Sequence, residues 1–289
     1  MKHFFATIAV AFFLAPCSAR ENFRKTLDFT ESWQFTLADS AESYAFDASN
    51  NSTWKTINLP HDWSIEADFS LDNPATPGGG ALPGGIGWYR KTFEIDKKLK
   101  DKKIFIDFDG IYQNSEVWMN GESLGKRPNG YVSFRYDLTP YIQFGKKNVI
   151  TIKVDNSHQP NSRWYSGSGI YRNVRLTIVN PLHVDHWGAY VTTPEVTKEN
   201  ATVQIITTIR NTSATRQQAK LFTSLIDASG KEIARTENSI EIIANGTVEA
   251  TQSLQVNNPA LWSVESPYLY KIITRIEQNG KTTDEYETP

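Results

Sequence analysis

The sequence predicts an all-β chain built as two consecutive sandwiches, and three observations carry that expectation. Beyond residue 19 no stretch sustains apolar residues at helical spacing. Short runs that alternate apolar and polar residues recur between turn signals instead, and a strand followed by Asn180-Pro181 divides the chain. The 289 residues leave room for about two domains.

Residues 1–19 are expected to be a signal peptide. Lys2 and His3 precede an apolar run over 4–14, and Ala15-Pro16-Cys17-Ser18-Ala19 supplies the small residues of a cleavage site. The run is too short to span a bilayer, so no membrane span is expected. Export to the periplasm or the extracellular space follows, with Arg20 as the mature start. Cys17 is the only cysteine, so the mature chain would carry no disulfide and would rest on its apolar cores. Lipid attachment at Cys17 is the less favoured alternative, because Pro16 departs from the usual lipoprotein box.

The first domain is expected over 20–181. A strand over 88–95 follows a Gly-rich run, and Ile104, Ile106 and Phe108 alternate with Phe105, Asp107 and Asp109. Val117-Trp118-Met119 leads through Asn120-Gly121 into residues 122–124, and Asn-Gly supplies the positive φ angles of a tight hairpin turn. Residues 148–155 place Ile150, Ile152 and Val154 on one face. Residues 174–179 repeat the pattern with Val174, Leu176 and Ile178. Pro181 cannot donate to a ladder and marks the boundary.

The second domain is expected over 182–289, with strands at 184–193, 201–211, 220–227, 240–243, 247–256 and 268–278. An immunoglobulin-like sandwich needs roughly seven. Residues 285–289 read as the start of the seventh, so this domain is expected to lack its last strand and the chain to be truncated.

The formal net charge is −2 and no basic run appears, which argues against nucleic acid or an anionic membrane surface as partner. The Gly-rich run 77–87 lacks the Gly-Lys-Ser/Thr ending of a phosphate loop and leads into a strand, so close approach or mobility is the expected use of its glycines. His183, Asp185 and His186 cannot face one ion on a regular strand. His61-Asp62-Trp63 comes without a nucleophile motif, which makes His61 a hydrogen-bonding residue rather than part of a catalytic dyad.

The segment 163–172, RWYSGSGIYR, packs aromatics, arginines and glycines between two strands. A loop on a rigid scaffold can present side chains that a sheet must bury. Planar rings beside arginines and hydroxyls suit a sugar, which offers C–H faces for stacking and hydroxyls for hydrogen bonds. The other reading makes Trp164, Tyr165 and Tyr171 a plug at the end of the core, and composition leaves both open.

Four motifs in order, LPHDW at 59–63, LPGGIGWYRK at 82–91, FDGIYQNSEVWMNGESLG at 108–125 and RWYSGSGIYR, together resemble the N-terminal half of glycoside hydrolase family two. The likeness is greatest to exported β-galactosidases of Bacteroides-like bacteria. PALWSVESPYLY at 259–270 resembles the family's immunoglobulin-like domain. The resemblance covers essentially all of 20–289. It implies a jelly-roll, galactose-binding-like β-sandwich followed by an immunoglobulin-like β-sandwich, with a TIM barrel third that carries both catalytic glutamates. That barrel needs about 250 residues. No residue here is therefore assigned as catalytic, and the chain alone is expected to be inactive.

The resemblance further implies that loops of the first domain reach the barrel mouth and help form the subsite for the nonreducing sugar. Asp155, Asn156, Arg163, Trp164 and Tyr165 are the substrate-binding residues expected on that basis. Some family galactosidases carry an aspartate that meets the sugar and a sodium ion. Arg163 stands at that place here, so no metal and no cofactor is assigned, and β-glucuronidase-like or other specificities stay open. The expected partners are a β-galactoside-type carbohydrate and the protein's own barrel, with an oligomer left open. A stand-alone carbohydrate-binding protein is the alternative function.

Overall fold

The computed structural model describes residues 23–37 and 54–289. The expected signal peptide, Cys17 and the mature start at Arg20 lie outside the described residues. Among the described residues no helix is long and apolar enough to cross a membrane.

Among the described residues ten strands build the first sandwich: β1 (Lys25–Asp28), β2 (Trp33–Leu37), β3 (Lys55–Ile57), β4 (Gly85–Glu94), β5 (Lys103–Phe108), β6 (Ser115–Met119), β7 (Glu122–Arg127), β8 (Phe134–Asp137), β9 (Lys147–Asn156) and β10 (Val174–Val179). One sheet runs β3-β2-β4-β9-β6-β7 and the other β1-β10-β5-β8, with every pairing antiparallel. This is the sandwich that the alternating pattern predicts and the jelly roll that the family resemblance implies.

The inward faces are the ones the period-two pattern marks. Ile104, Ile106 and Phe108 of β5, Ile150, Ile152 and Val154 of β9, and Val174, Leu176 and Ile178 of β10 join Trp33, Phe35 and Tyr89 in one apolar core. Each fully buried side chain of this size contributes about 1.5–3 kcal/mol. The β6–β7 hairpin turns through Asn120 and Gly121 at φ 51° and 89°, as Asn-Gly predicts.

Seven strands form the second sandwich: β11 (Leu182–Val196), β12 (Asn200–Asn211), β13 (Gln217–Ile226), β14 (Glu232–Ile242), β15 (Thr247–Asn257), β16 (Lys271–Gln278) and β17 (Lys281–Thr288). The sheets are β11-β12-β15 and β14-β13-β16-β17. Where the sequence reading sees only the start of a seventh strand at 285–289, the structure describes β17 over Lys281–Thr288. β17 pairs with β16 from Lys281 opposite Gln278 to Thr288 opposite Ile272. Its turn is a second Asn-Gly, Asn279-Gly280, at φ 50° and 73°. The strand itself, KTTDEYET, closes a sheet edge and carries no apolar alternation to read. β14 likewise runs eight residues upstream of the apolar pair that signalled it, Ile240 and Ile242, because an edge strand there needs little burial.

The second core is layered. Thr207, Thr223, Gln252 and Thr274 are all buried, each two residues from apolar neighbours on its strand, and they divide the interior into two apolar clusters. Thr223 donates to Gln252 Oε1 at 2.6 Å, and Gln252 Nε2 donates to Leu221 O at 3.2 Å.

A buried ion pair ties the sandwiches together. Arg24, just ahead of β1, donates to both carboxylate oxygens of Asp284 in β17 at 3.1 and 2.7 Å and to Val184 O at 2.6 Å. The Asp284 side chain has 0% exposure and also accepts from Val184 N at 2.8 Å. Beside it His183 is buried, with Nδ1 2.7 Å from Asn180 O and its ring against Phe105.

Removing one partner of such a pair strands the other charge, whereas an exposed pair contributes little. Asp284→Ala is expected to lower unfolding free energy by about 3–5 kcal/mol in urea titrations. Glu241→Ala, which frees the exposed Arg216, is expected to cost less than about 1 kcal/mol. Equal losses for the two would contradict the assignment.

Candidate functional site

One end of the first sandwich is organised around a single carboxylate. Residues 61–63 follow β3 and lie alongside 168–170, with His61 N donating to Ile170 O at 2.9 Å and Trp63 N to Ser168 O at 3.1 Å. On the other side Tyr112 and Gly169 exchange both backbone hydrogen bonds at 2.9 and 2.8 Å. Asp62 closes the arrangement. Its Oδ1 accepts from Ser168 N at 2.9 Å and Ser64 N at 3.0 Å, and its Oδ2 accepts from the Tyr165 hydroxyl.

Two glycines make the approach possible. At Gly169 φ is +125°, and a Cβ would lie 2.3 Å from the Tyr89 hydroxyl oxygen and 2.7 Å from His61 O. At Gly80, φ +98°, a Cβ would press on the Tyr165 ring at 3.1 Å. The Gly-rich run is therefore used for close approach, and it backs the tyrosine.

His61 supports this floor from beneath. It is buried, with Nδ1 2.7 Å from the Tyr89 hydroxyl, Nε2 3.2 Å from Glu66 Oε1 and its ring against Phe35. Burial pulls its pKa below the ordinary histidine value, more than Glu66 raises it. Burial also pushes the Tyr89 phenol well above its usual range, so the hydroxyl stays protonated.

The five expected site residues separate into two groups. Trp164 and Tyr165 are 61% and 41% exposed, which excludes the core-plug reading for both. Trp164 Nε1 donates to the Tyr131 hydroxyl at 3.2 Å, and Tyr131, half exposed, packs edge-on against Tyr112. Tyr171 is half-buried and donates to Gly130 O at 3.0 Å. Arg163 is exposed and makes no hydrogen bond or ion pair among the described residues.

Asn156 and Asp155 differ from that expectation. Asn156 is 2% exposed. Both of its amide protons go to Gly167 O and Ser168 Oγ at 3.0 and 2.7 Å, and its oxygen accepts from Gln159 and Asn161 at 2.9 and 2.7 Å. It has no capacity left for a ligand, so it positions the loop. Asp155 Oδ1 accepts from the amide and hydroxyl of Ser157 at 3.0 and 2.6 Å, closing the turn that begins the loop. Burial raises its pKa, but the Ser157 bonds and nearby Lys153 outweigh this and hold the carboxyl below its usual value.

Asp62 and Tyr131 are the residues that sequence reasoning missed. Asp62 was in view within LPHDW, yet its partners lie about a hundred residues away, and no local pattern links them. The remaining motif, His183-Asp185-His186, does not converge: His183 is buried at the junction, Asp185 pairs with Arg210 at 2.7 Å, and His186 stacks on Trp187.

The arrangement is a rim rather than an enclosure. The space behind Tyr165, between Asn156, Ser168 and Leu82, is only about 10 Å³. Exposed rings and a free guanidinium can hold one face of a sugar, and closure needs a second surface.

The buried, neutral His61 fixes a pH dependence. Its folded pKa lies below that of the unfolded chain, so its contribution is intact above the unfolded value and is lost as pH falls through the folded one. His183 and His186 are shifted the same way, also chiefly by burial. The thermal midpoint is expected to fall as pH drops below about 6.5. His61→Gln should flatten part of that slope, and an unchanged slope would remove His61 from the account.

The sequence and fold match known proteins throughout. Residues 9–180 match the family model for glycosyl hydrolases family 2, sugar binding domain, and residues 182–289 match glycosyl hydrolases family 2. The beta-galactosidase BoGH2A of Bacteroides ovatus is 49% identical over 92% of this chain and 31% of its own length. A putative beta-glucuronidase of Formosa agariphila is 41% identical over 90% of this chain and 24% of its own. A solved family 2 member from Bacteroides cellulosilyticus superposes with a TM-score of 0.86 at 38% identity, over 91% of this chain and 34% of that one. The chain thus spans no more than about a third of these relatives. It belongs to glycosyl hydrolases family 2, of which it carries the sugar-binding domain and the β-sandwich that follows.

Proposed function

We propose that this chain is the non-catalytic N-terminal part of an exported retaining β-galactosidase, and that its first domain supplies one wall of the sugar subsite against a catalytic barrel further along the polypeptide. The observation that carries this reading is the 49% identity to a beta-galactosidase over 92% of the chain. The rim of Trp164, Tyr165 and Tyr131, held from behind by Asp62, is the surface that would face the barrel. An aromatic face against a pyranose and hydroxyls at its edge are what a nonreducing-end subsite requires.

A second reading is favoured by one residue. Arg163 is exposed without a partner among the described residues, and a free guanidinium suits the carboxylate of a glucuronide. Relatives named beta-glucuronidase match over most of the chain. The two readings share the wall and differ in what Arg163 touches.

Expression of the complete reading frame tests both. Under the first reading the full protein hydrolyses nitrophenyl β-galactoside, Trp164→Ala raises KM about tenfold through lost stacking, and Arg163→Gln changes little. Preference for the glucuronide, abolished by Arg163→Gln, would replace it with the second. The 289-residue chain alone is expected to hydrolyse neither. Turnover by it would contradict the non-catalytic assignment.

A further inference from the structure

A second groove lies away from the aromatic rim, where the outer face of the β1-β10-β5-β8 sheet meets the second sandwich. Its volume is about 520 Å³, within the range of small-molecule sites. None of Trp164, Tyr165 and Tyr131 lines it. Trp187 forms an exposed part of its wall.

The local chain presents that tryptophan at a cost. Val184 pairs with Ile209 and Ala189 with Thr207, so residues 185–188 bulge opposite the single Thr208. At the bulge Trp187 takes φ +51°, a left-handed conformation uncommon for a bulky residue. The ring is not repaid by burial, being 66% exposed. One face stacks on the His186 imidazole at 4.4 Å and 23°, which fixes the indole plane.

Opposite the indole the sheet offers rows of paired polar groups. Arg175 grips Asp109 with two bonds of 2.9 and 2.6 Å, and Arg135 grips Asp107 with two of 2.6 and 2.9 Å. Thr177 donates to Asp107 at 2.6 Å. These interlocked donors and acceptors are preorganised for hydroxyl groups, which both give and take hydrogen bonds.

Charge selects among ligands. The third arginine of the groove, Arg24, is committed to Asp284, while Glu285 and Glu287 are paired with Arg275 and Lys271. No lining arginine is left to neutralise an incoming carboxylate. The charges of the groove are matched among themselves, so an entering anion would lose hydration without gaining an uncommitted counter-charge.

We propose that this groove is a second saccharide-binding site, with Trp187 as the stacking platform and the Arg175–Asp109 and Arg135–Asp107 pairs as hydroxyl partners, selective for neutral over uronic-acid sugars. It is independent of the rim and of the proposed hydrolysis. It would hold a neutral glycan on the outer face of the chain while the rim serves the reacting end.

Calorimetry on the full 289-residue chain tests it, with lactose, cellobiose and xylobiose as neutral probes and glucuronic and galacturonic acids as charged ones. At least one neutral disaccharide is expected to bind with a Kd of about 1–10 mM, and the acids more weakly. Trp187→Ala should weaken binding about tenfold with an unchanged thermal midpoint, and Trp187→Phe should retain most of it. Lack of saturation with every neutral probe, tighter binding of an acid, or loss in Trp164→Ala but not in Trp187→Ala would each overturn the site. Hydrolysis by the full protein does not enter any of these outcomes, so a failure here is separable from a failure of the proposed function.

Discussion

The Asp62 carboxylate is the constraint on which the rest of the candidate site depends. The connection between β9 and β10 has no strand or helix of its own, and a segment that long in a compact domain needs explicit anchoring. Asp62 accepts two backbone amides and one phenol from that segment and its own turn, and charged acceptors make stronger hydrogen bonds than neutral ones. The Tyr165 ring is thereby fixed in place, and Trp164 beside it is carried to the surface, tied to Tyr131.

The supports of Asp62 are themselves buried and satisfied. Tyr89 and His61 share a hydrogen bond under the loop, Asn156 spends all its capacity on 159–168, and Gly169 is the residue that lets the loop sit directly on Tyr89. A rigid support of this kind suits a surface that must present rings in one orientation. The same device recurs at the domain junction, where Asp284 gathers Arg24 and Val184 N and sets β17 against the first sandwich. That junction also frames the groove beneath Trp187.

Most of the fold was legible because central strands must bury one face. β5, β9, β10 and the β6–β7 hairpin appear where alternation and Asn-Gly place them. The elements that escaped are edges. β1 is exposed along its whole length, β14 exposes most of its own, and β17 is largely half-buried, so little apolar alternation marks them in the sequence. For β17 the signal was the Asn279-Gly280 turn rather than the strand. At the site, the family resemblance pointed to Trp164, Tyr165 and Arg163, whereas Asn156 looked available because its bonds to Gln159, Asn161, Gly167 and Ser168 within one irregular loop leave no pattern in the sequence. Asp62, Tyr131 and the groove at Trp187 are products of long-range packing, which local spacing does not encode. The bulge that exposes Trp187 is invisible in a run that reads as a plain strand.

The claim that one carboxylate holds the presenting loop is tested most directly by amide hydrogen exchange in Asp62→Ala. Removing the acceptor leaves Ser64 and Ser168 amides unsatisfied, a loss of about 1–3 kcal/mol confined to this end of the domain. The amides of 165–169 are expected to exchange about ten- to a hundredfold faster, with β5, β9 and β10 unchanged. Unaltered exchange at Ser168 and Gly169 would contradict the account and place the anchoring in the backbone pairs with His61, Trp63 and Tyr112 alone.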